Sequence, residues 1–246
     1  MVVASADNCG VVIPCHNEAD SIAGVVRRIR VQLPHVLVVD DGSTDATGDQ
    51  ARAAGAGVLR QPVRSGKGAA LAAGWTAAAA AGWEWVLLMD GDGQHLPEES
   101  AVLLAAAGPL RPLIIGNRLQ TPWAMPPLRR VINRWMSRRL SGLAGVALPD
   151  SQCGYRLAHL PTLLRLGLAT RHFEIESEMC VAFARAGLDI TFVPVTASYG
   201  PERSKICPLI DAWRWTRWYL RARHWCCKPS TGLSVSAPPV SSAIPT

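Results

Sequence analysis

The sequence predicts an α/β fold with a mostly parallel sheet and helices on both faces. Short apolar runs alternate with stretches of helical character through the first part of the chain, which is the order that builds such sheets. A polar cluster directly follows three of the first four runs. Ligands of these folds bind beyond the carboxyl ends of the strands, so the three clusters predict one shared site at that edge.

The individual elements follow from local patterns. Apolar runs predict buried strands at residues 11–14, 36–39, 57–60, 85–89, 113–116 and 190–197. Helical patterns cover about 20–31, 44–54, 69–81, 126–143 and 173–186. Thr44 or Asp45 can cap the second of these helices, and alanine, the strongest helix former, dominates the third.

Composition restricts the class of protein. A chain of 246 residues fits one domain of the larger α/β kind, and 49% hydrophobic against 18% charged residues excludes wholesale disorder. The net charge is +6, and most of the cationic residues are arginines, whose planar fork suits phosphate oxygens. Nucleic acid, a phosphorylated small molecule or an anionic membrane surface would each match this charge.

The cysteines and the length of the apolar runs indicate where in the cell we expect the protein. The seven cysteines are odd in number and lack zinc-ligand spacing, so we expect mostly reduced thiols in a cytoplasmic protein. Adjacent Cys226 and Cys227 are either an acylation site or two incidental thiols. We expect no signal peptide, and no apolar run reaches the roughly 18 residues that span a bilayer. Any membrane contact is therefore expected at the surface.

Asp90 and Asp92 are the clearest candidates for a metal site. They lie two residues apart just after a buried strand, where two carboxylates repel each other unless a cation neutralises them. Mg²⁺ and Mn²⁺ favour carboxylate and phosphate oxygens. The alternative is a solvated acidic turn.

Asp40 and Asp41 form the second acidic cluster. Carboxylates at a strand end can accept hydrogen bonds from a nucleobase N–H or from ribose hydroxyls. Residues 43–45 can at the same time cap the following helix. The two acidic clusters together predict a nucleotide diphosphate pocket.

Seven motifs then carry a family resemblance. In chain order they are Ile13-Pro14-Cys15-His16-Asn17-Glu18, Val39-Asp40-Asp41-Gly42-Ser43-Thr44-Asp45, Gly66-Lys67-Gly68, Asp90-Gly91-Asp92-Gly93-Gln94-His95, Gly116-Asn117-Arg118, Asp150-Ser151-Gln152-Cys153-Gly154-Tyr155-Arg156 and Arg203-Ser204-Lys205. Over roughly residues 10 to 210 the chain resembles family 2 glycosyltransferases, specifically the dolichyl- and polyprenyl-phosphate sugar synthases. The commoner Asp-Ala-Asp is Asp-Gly-Asp here, and Ser65 replaces the usual asparagine.

The resemblance implies a GT-A fold and metal-dependent, inverting transfer of a hexose from a GDP- or UDP-sugar to a polyprenyl-phosphate-like lipid. It implies nucleotide-sugar contacts by Pro14, Asn17, Glu18, Asp40, Asp41, Lys67, Asp90 and Arg203, and metal ligands Asp90, Asp92 and Gln94. It implies acceptor contacts by Arg118, Arg129, Asn133 and Asp150, with Arg130 or Arg134 as alternatives, and catalytic roles for Asp92, Arg118 and Lys205.

Other functions stay open at this point. A phosphate acceptor is already anionic at neutral pH and needs no base, whereas a hydroxyl acceptor needs one. Glu174, Glu176 and Glu178 are the clustered base candidates of the second half, or else they form a salt-bridged helix start. A non-catalytic protein that binds nucleotide sugars or nucleic acid is a third hypothesis, and the acidic clusters argue against nucleic acid.

The end of the catalytic region is basic and aromatic. In residues 213–225, Trp215, Trp218, Tyr219, Ala222 and Trp225 share one helical face beside arginines. Such a helix suits a membrane interface, docking onto the catalytic domain, or a partner. We expect a catalytic domain at 1–212, this helix at 213–228 and a disordered tail at 229–246, with the protein peripheral at the inner face of the cell membrane.

Overall fold

The computed structural model describes residues 3–120, 125–199 and 208–224. The strands are β1 (Cys9–Cys15), β2 (Val36–Asp40), β3 (Gly57–Arg60), β4 (Trp85–Leu88), β5 (Leu113–Asn117), β6 (Arg156–His159) and β7 (Ile190–Pro194). The α-helices are α1 (Ile22–Ile29), α2 (Thr47–Ala53), α3 (Lys67–Ala80), α4 (Ser100–Ala106), α5 (Pro127–Ala144), α6 (Leu160–Arg165), α7 (Ile175–Arg185) and α8 (Pro208–Ala222).

One sheet joins the strands in the order β3-β2-β1-β4-β6-β5-β7. β6 runs antiparallel to β4 and β5, and the other neighbouring strands are parallel, which confirms the predicted mostly parallel α/β fold. Cys15 at the end of β1 lies opposite Asp40 at the end of β2. The polar residues that follow these strands therefore start at the same edge of the sheet.

The sequence prediction differs from the structure in several elements. β6 was not predicted, because its four residues carry no alternation and its place is set by pairing with β4 and β5. The short helices α4 and α6 were also missed. The strand predicted at 190–197 ends at Pro194, and Ala197 forms only an isolated bridge with His95.

Helix α8 extends from Pro208 to Ala222, and therefore begins before the predicted residue 213. Trp215 is buried, donates a hydrogen bond from Nε1 to Ser177 Oγ at 2.9 Å, and stacks on Tyr219. The aromatic face thus packs against the catalytic domain, which was one of the roles left open. Within the described residues, no helix combines the length and hydropathy of a membrane span.

Two further expectations concern the thiols and the tail. Cys9, Cys15, Cys153 and Cys180 are buried, and burial raises the pKa of Cys9 and Cys153 to about 12. Cys226–Cys227 and the tail at 229–246 lie outside the described residues. The division at 212 and 228 stays a prediction.

The docking of α8 predicts that two of its tryptophans contribute very differently to the free energy of unfolding. Trp215→Ala removes a buried ring and its hydrogen bond, and we expect it to lower the free energy of unfolding by about 3 kcal/mol. Trp213 is 60% exposed, and Trp213→Ala is expected to change it by less than about 0.5 kcal/mol. Urea unfolding of both variants measures this, and equal losses would show that α8 does not dock through Trp215.

Candidate active site

The loops that follow β1 and β2 are held together by hydrogen bonds. Asn17 adopts a positive φ of 55°, donates its backbone N–H to Ser43 Oγ at 3.0 Å, and accepts the Thr44 N–H on Oδ1 at 2.8 Å. The Glu18 N–H donates to Thr47 Oγ1 at 2.7 Å. These bonds make the two loops one wall of the site and place the Glu18 side chain at its rim. Pro14, another predicted contact, lies within β1 opposite Val39.

The two acids after β2 have different surroundings. Asp41 accepts the backbone N–H groups of Ser65 at 2.6 Å and Gly66 at 2.8 Å, so it holds the loop that precedes α3. Asp40 accepts the Ser43 N–H on Oδ1, and its buried Oδ2 has no hydrogen bond among the described residues but lies 3.6 Å from Arg60 Nη1 in an ion pair. Asp40 therefore orders the loop after β2 and pairs with Arg60, and Asp41 orders the pocket wall.

Lys67 links two acids from distant parts of the chain. Its ammonium lies 2.6 Å from Asp90 Oδ1 and 2.6 Å from Glu176 Oε1. Burial alone would lower the pKa of Lys67, but the charges of Asp90 and Glu176 raise it above its ordinary value. Burial likewise opposes ionisation of Asp90, and Lys67 nevertheless lowers its pKa. Lys67 and Asp90 are therefore both charged in this contact.

Glycines make this contact possible. The backbone of residues 170–172 lies so close to Gly66 and Gly68 that a Cβ on either would clash with it. A Cβ on Gly154 would lie 2.5 Å from Asp90 Oδ2 and 3.1 Å from Glu176 Oε1. Close backbone approach, rather than phosphate binding by a glycine loop, explains these glycines.

Arg156 is a structural residue that the sequence reasoning cited only as part of a motif. Its buried guanidinium donates to the carbonyl oxygens of Cys153, Glu176 and Ser151 at 2.7, 2.7 and 2.8 Å. These bonds join residues 151–154 to the first turn of α7. Arg156 thereby fixes where Glu176 meets Lys67. Its burial could not be recognised from the sequence, where arginine is ordinarily a surface residue.

Asp92 is the acid that a cation would neutralise. Its pKa is raised to about 6 by burial, by Asp90 and by Glu18, while the Gln94 N–H donates to Oδ1 at 3.0 Å. The positive charge of Lys67 opposes this rise in the pKa of Asp92, but by less than burial and Asp90 cause it. The donor set therefore fits a hard divalent cation.

The described residues contain no group of three His, Cys, Asp or Glu side chains that could hold a metal ion by themselves. Mg²⁺ and Mn²⁺ suit a site with one or two carboxylates that is completed by substrate phosphates. Asp90, Asp92 and Gln94 match that pattern, and their assignment as metal ligands stays a prediction.

A second group of predicted residues lies beyond β5. Arg118 is buried and forms a two-pronged ion pair with Asp150, with Nε–Oδ2 and Nη2–Oδ1 both at 2.9 Å. The Arg129 guanidinium lies over the Tyr199 ring, with Cζ 5.1 Å from the ring centroid. Asn133 is buried and its amide contacts Met125 Sδ. Arg203 and Lys205 lie outside the described residues.

The three base candidates on α7 are not equivalent. Glu178 accepts the backbone N–H groups of Ala169 and Thr170, so it orders the loop that packs against α3. Glu176 forms an ion pair with Lys67. Glu174 is buried just before the helix. Two of the three carboxylates are therefore committed to the structure, which weakens the hypothesis of a general base here.

The sequence is similar to one protein family and to several known glycosyltransferases. The family described as glycosyl transferase family 2 matches residues 10–159. Glycosyltransferase AglJ of Haloferax volcanii is 35% identical over 197 residues, 79% of this chain and 64% of that protein. The chain thus spans less than two thirds of the length of AglJ. An undecaprenyl-phosphate mannosyltransferase of Micrococcus luteus is 34% identical, covering 75% of this chain and 81% of that one.

A solved structure shares the fold and the GT-A architecture. Glucosyl-3-phosphoglycerate synthase from Mycobacterium tuberculosis, in complex with Mn²⁺, UDP-glucose and phosphoglyceric acid, superposes with a TM-score of 0.69. It is 25% identical, and the match covers 92% of this chain and 83% of that one. The predicted GT-A fold and family resemblance are confirmed.

The raised pKa of Asp92 predicts a pH-dependent stability difference. The folded state disfavours the ionised form, so the wild type loses stability as pH rises from about 4 to about 6. Asp92→Asn lacks this loss, and without metal we expect it to be more stable by about 1 to 3 kcal/mol at pH 8, with the gain shrinking toward pH 4. Urea unfolding in EDTA at both pH values measures the gain, and a gain independent of pH would contradict the assignment.

Proposed function

The chain belongs to glycosyl transferase family 2, and we propose that it moves a hexose from a nucleotide-diphosphate sugar to a polyprenyl phosphate. The observation that carries the proposal is the acidic edge of the sheet. There Lys67 holds Asp90 beside Glu176, and Asp92 has no comparable counter-charge in the part of the chain that the structure describes. The name of the relative undecaprenyl-phosphate mannosyltransferase supports the same activity, and the name of glycosyltransferase AglJ supports glycosyl transfer.

The donor side follows from the acids and the two interlocked loops. Asp40, whose carboxylate also pairs with Arg60, would accept a hydrogen bond from the nucleoside of a GDP- or UDP-sugar. Asp90 and Glu176 present carboxylate oxygens toward which sugar hydroxyls can donate. Mg²⁺ or Mn²⁺, held by Asp90, Asp92 and Gln94, would supply positive charge to the leaving diphosphate.

The acceptor side favours a phosphate over a hydroxyl. A phosphate monoester is largely dianionic at neutral pH, so it attacks the anomeric carbon without a dedicated base. Arg129 would supply positive charge from its place over the Tyr199 ring, and Arg118 is held in position by Asp150. The hydroxyl alternative requires a free base, but Glu176 and Glu178 are engaged with Lys67 and with backbone amides.

A lipid acceptor requires contact with a membrane, and α5 offers a surface for it. Leu128, Val131, Ile132 and Trp135 form an exposed stripe at helical spacing, and the Arg139 guanidinium lies over the Trp135 ring. The Trp135 ring also lies 5.6 Å from Trp215, which brings α8 alongside. The exposed face of α8 adds further apolar side chains, namely Leu209, Ile210, Trp213 and Leu220.

Apolar and aromatic residues between arginines suit the interface of an anionic bilayer. The surface differs from the one expected from the sequence, because Trp215 packs inward while Trp213 and Leu220 are exposed. We propose that this surface of α5 and α8 holds the enzyme at the inner face of the cell membrane.

The activity is tested with radiolabelled UDP- and GDP-hexoses, Mg²⁺ or Mn²⁺, and polyprenyl phosphate in vesicles. We expect labelled lipid from one donor, and a loss of at least roughly a hundredfold in Asp92→Ala, because the leaving diphosphate loses its cation. Asp49→Ala, at an exposed ion pair with Arg52, is the matched control and should retain activity. Transfer only to a hydroxyl acceptor, or full activity of Asp92→Ala, would contradict the proposal.

The membrane surface is tested by sedimentation with anionic vesicles. Val131→Glu places a negative charge in the α5 stripe and is expected to weaken vesicle binding roughly tenfold. Val31→Glu, at a residue 85% exposed after α1, is the control for the same substitution elsewhere. If both variants bind vesicles like the wild type, the stripe is not the contact.

A further inference from the structure

Tyr199 occupies a position between the two halves of the site. After β7 the chain passes along the acidic turn, where Ala197 forms a bridge with His95 and the Ser198 N–H donates to the Gln94 carbonyl at 2.8 Å. Tyr199 comes next, with its ring 5.1 Å from the Arg129 guanidinium carbon. Tyr199 therefore directly follows residues that bond to the Gln94–His95 turn of the proposed donor site, and it contacts Arg129 of the proposed acceptor site.

The Tyr199 hydroxyl has no hydrogen-bond partner among the described residues, although the oxygen is buried. Burial raises the pKa of Tyr199, while the positive charges of Arg118 and Arg129 oppose this shift. Both arginines are therefore close enough to influence the hydroxyl, and it stays protonated at neutral pH. An unpaired buried hydroxyl costs folding free energy, so its retention next to two cations points to an anionic ligand.

We propose that Tyr199 donates a hydrogen bond from its hydroxyl to the phosphate of the acceptor, which Arg129 contacts from the same side. The inference rests on the proposed function, and it adds an acceptor-binding residue that the family motifs had not indicated. Asp150 already neutralises much of the charge of Arg118. A neutral donor of fixed direction would then orient the phosphate, while Arg129 supplies charge. The chemistry recognised is a phosphate monoester, whether on a lipid or free in solution.

The variant Tyr199→Phe tests the role of the hydroxyl separately from that of the ring. It keeps the aromatic face for Arg129 and removes only the donor. We expect the KM for polyprenyl phosphate to rise about tenfold, as for loss of a hydrogen bond to a charged group, with the KM for the donor sugar unchanged. Tyr219→Phe makes the same chemical change on α8, away from the site, and should leave both constants at the wild-type values.

Binding measurements without turnover complete the test. Calorimetry compares wild type and Tyr199→Phe with inorganic phosphate, with 3-phosphoglycerate and with polyprenyl phosphate in vesicles. Weaker binding of all three to the variant supports a phosphate contact, and weaker binding of the vesicles alone restricts it to the lipid headgroup. Equal binding of every probe by the two proteins overturns the inference.

The two proposals fail in different ways. If the wild type transfers sugar to polyprenyl phosphate and Tyr199→Phe has an unchanged acceptor KM, the inference on Tyr199 is wrong and the proposed function stands. If the wild type transfers sugar to no phosphate acceptor, the proposed function is wrong. The calorimetry with inorganic phosphate then still decides whether Tyr199 binds phosphate.

Discussion

The position of Lys67 between Asp90 and Glu176 is the constraint on which the rest of the site depends. The acids come from the end of β4 and the first turn of α7, and one ammonium at 2.6 Å from each holds these elements together. Two buried carboxylates without such a cation would repel each other or protonate. Several features let Lys67 meet the two acids there. They are the glycines at 66, 68 and 154, the loop at 170–172, and Arg156, which donates to the first turn of α7.

Much of the donor half could be predicted from the sequence, because it depends on local patterns. Apolar runs ending at Asp40 and Asp90 predict strands, and parallel strands bring their ends to one edge. The acceptor half could not be predicted in the same way. β6 exists only through its pairing with β4 and β5, and Tyr199 carries no motif that marks it. Long-range contacts decide those features, and a single sequence does not display them.

The buried face and the exposed face of α8 illustrate the same limit. Helical spacing correctly grouped Trp215 with Tyr219, but spacing does not say whether such a face meets lipid or protein. In the structure this face meets protein, because Ser177 of α7 accepts the indole hydrogen bond of Trp215. Trp213, which does not belong to that face, is exposed.

The antiparallel strand β6 has a consequence for how such proteins diversify. The proposed donor residues follow the parallel strands β1 to β4, and the chain that connects β5 to β6 contains α5 and returns to the same sheet. An excursion anchored at both ends by neighbouring strands can change its length and surface while the strands keep their register. With the proposed acceptor site in that segment, its exchange between relatives would alter which acceptor is reached and leave the proposed donor site in place.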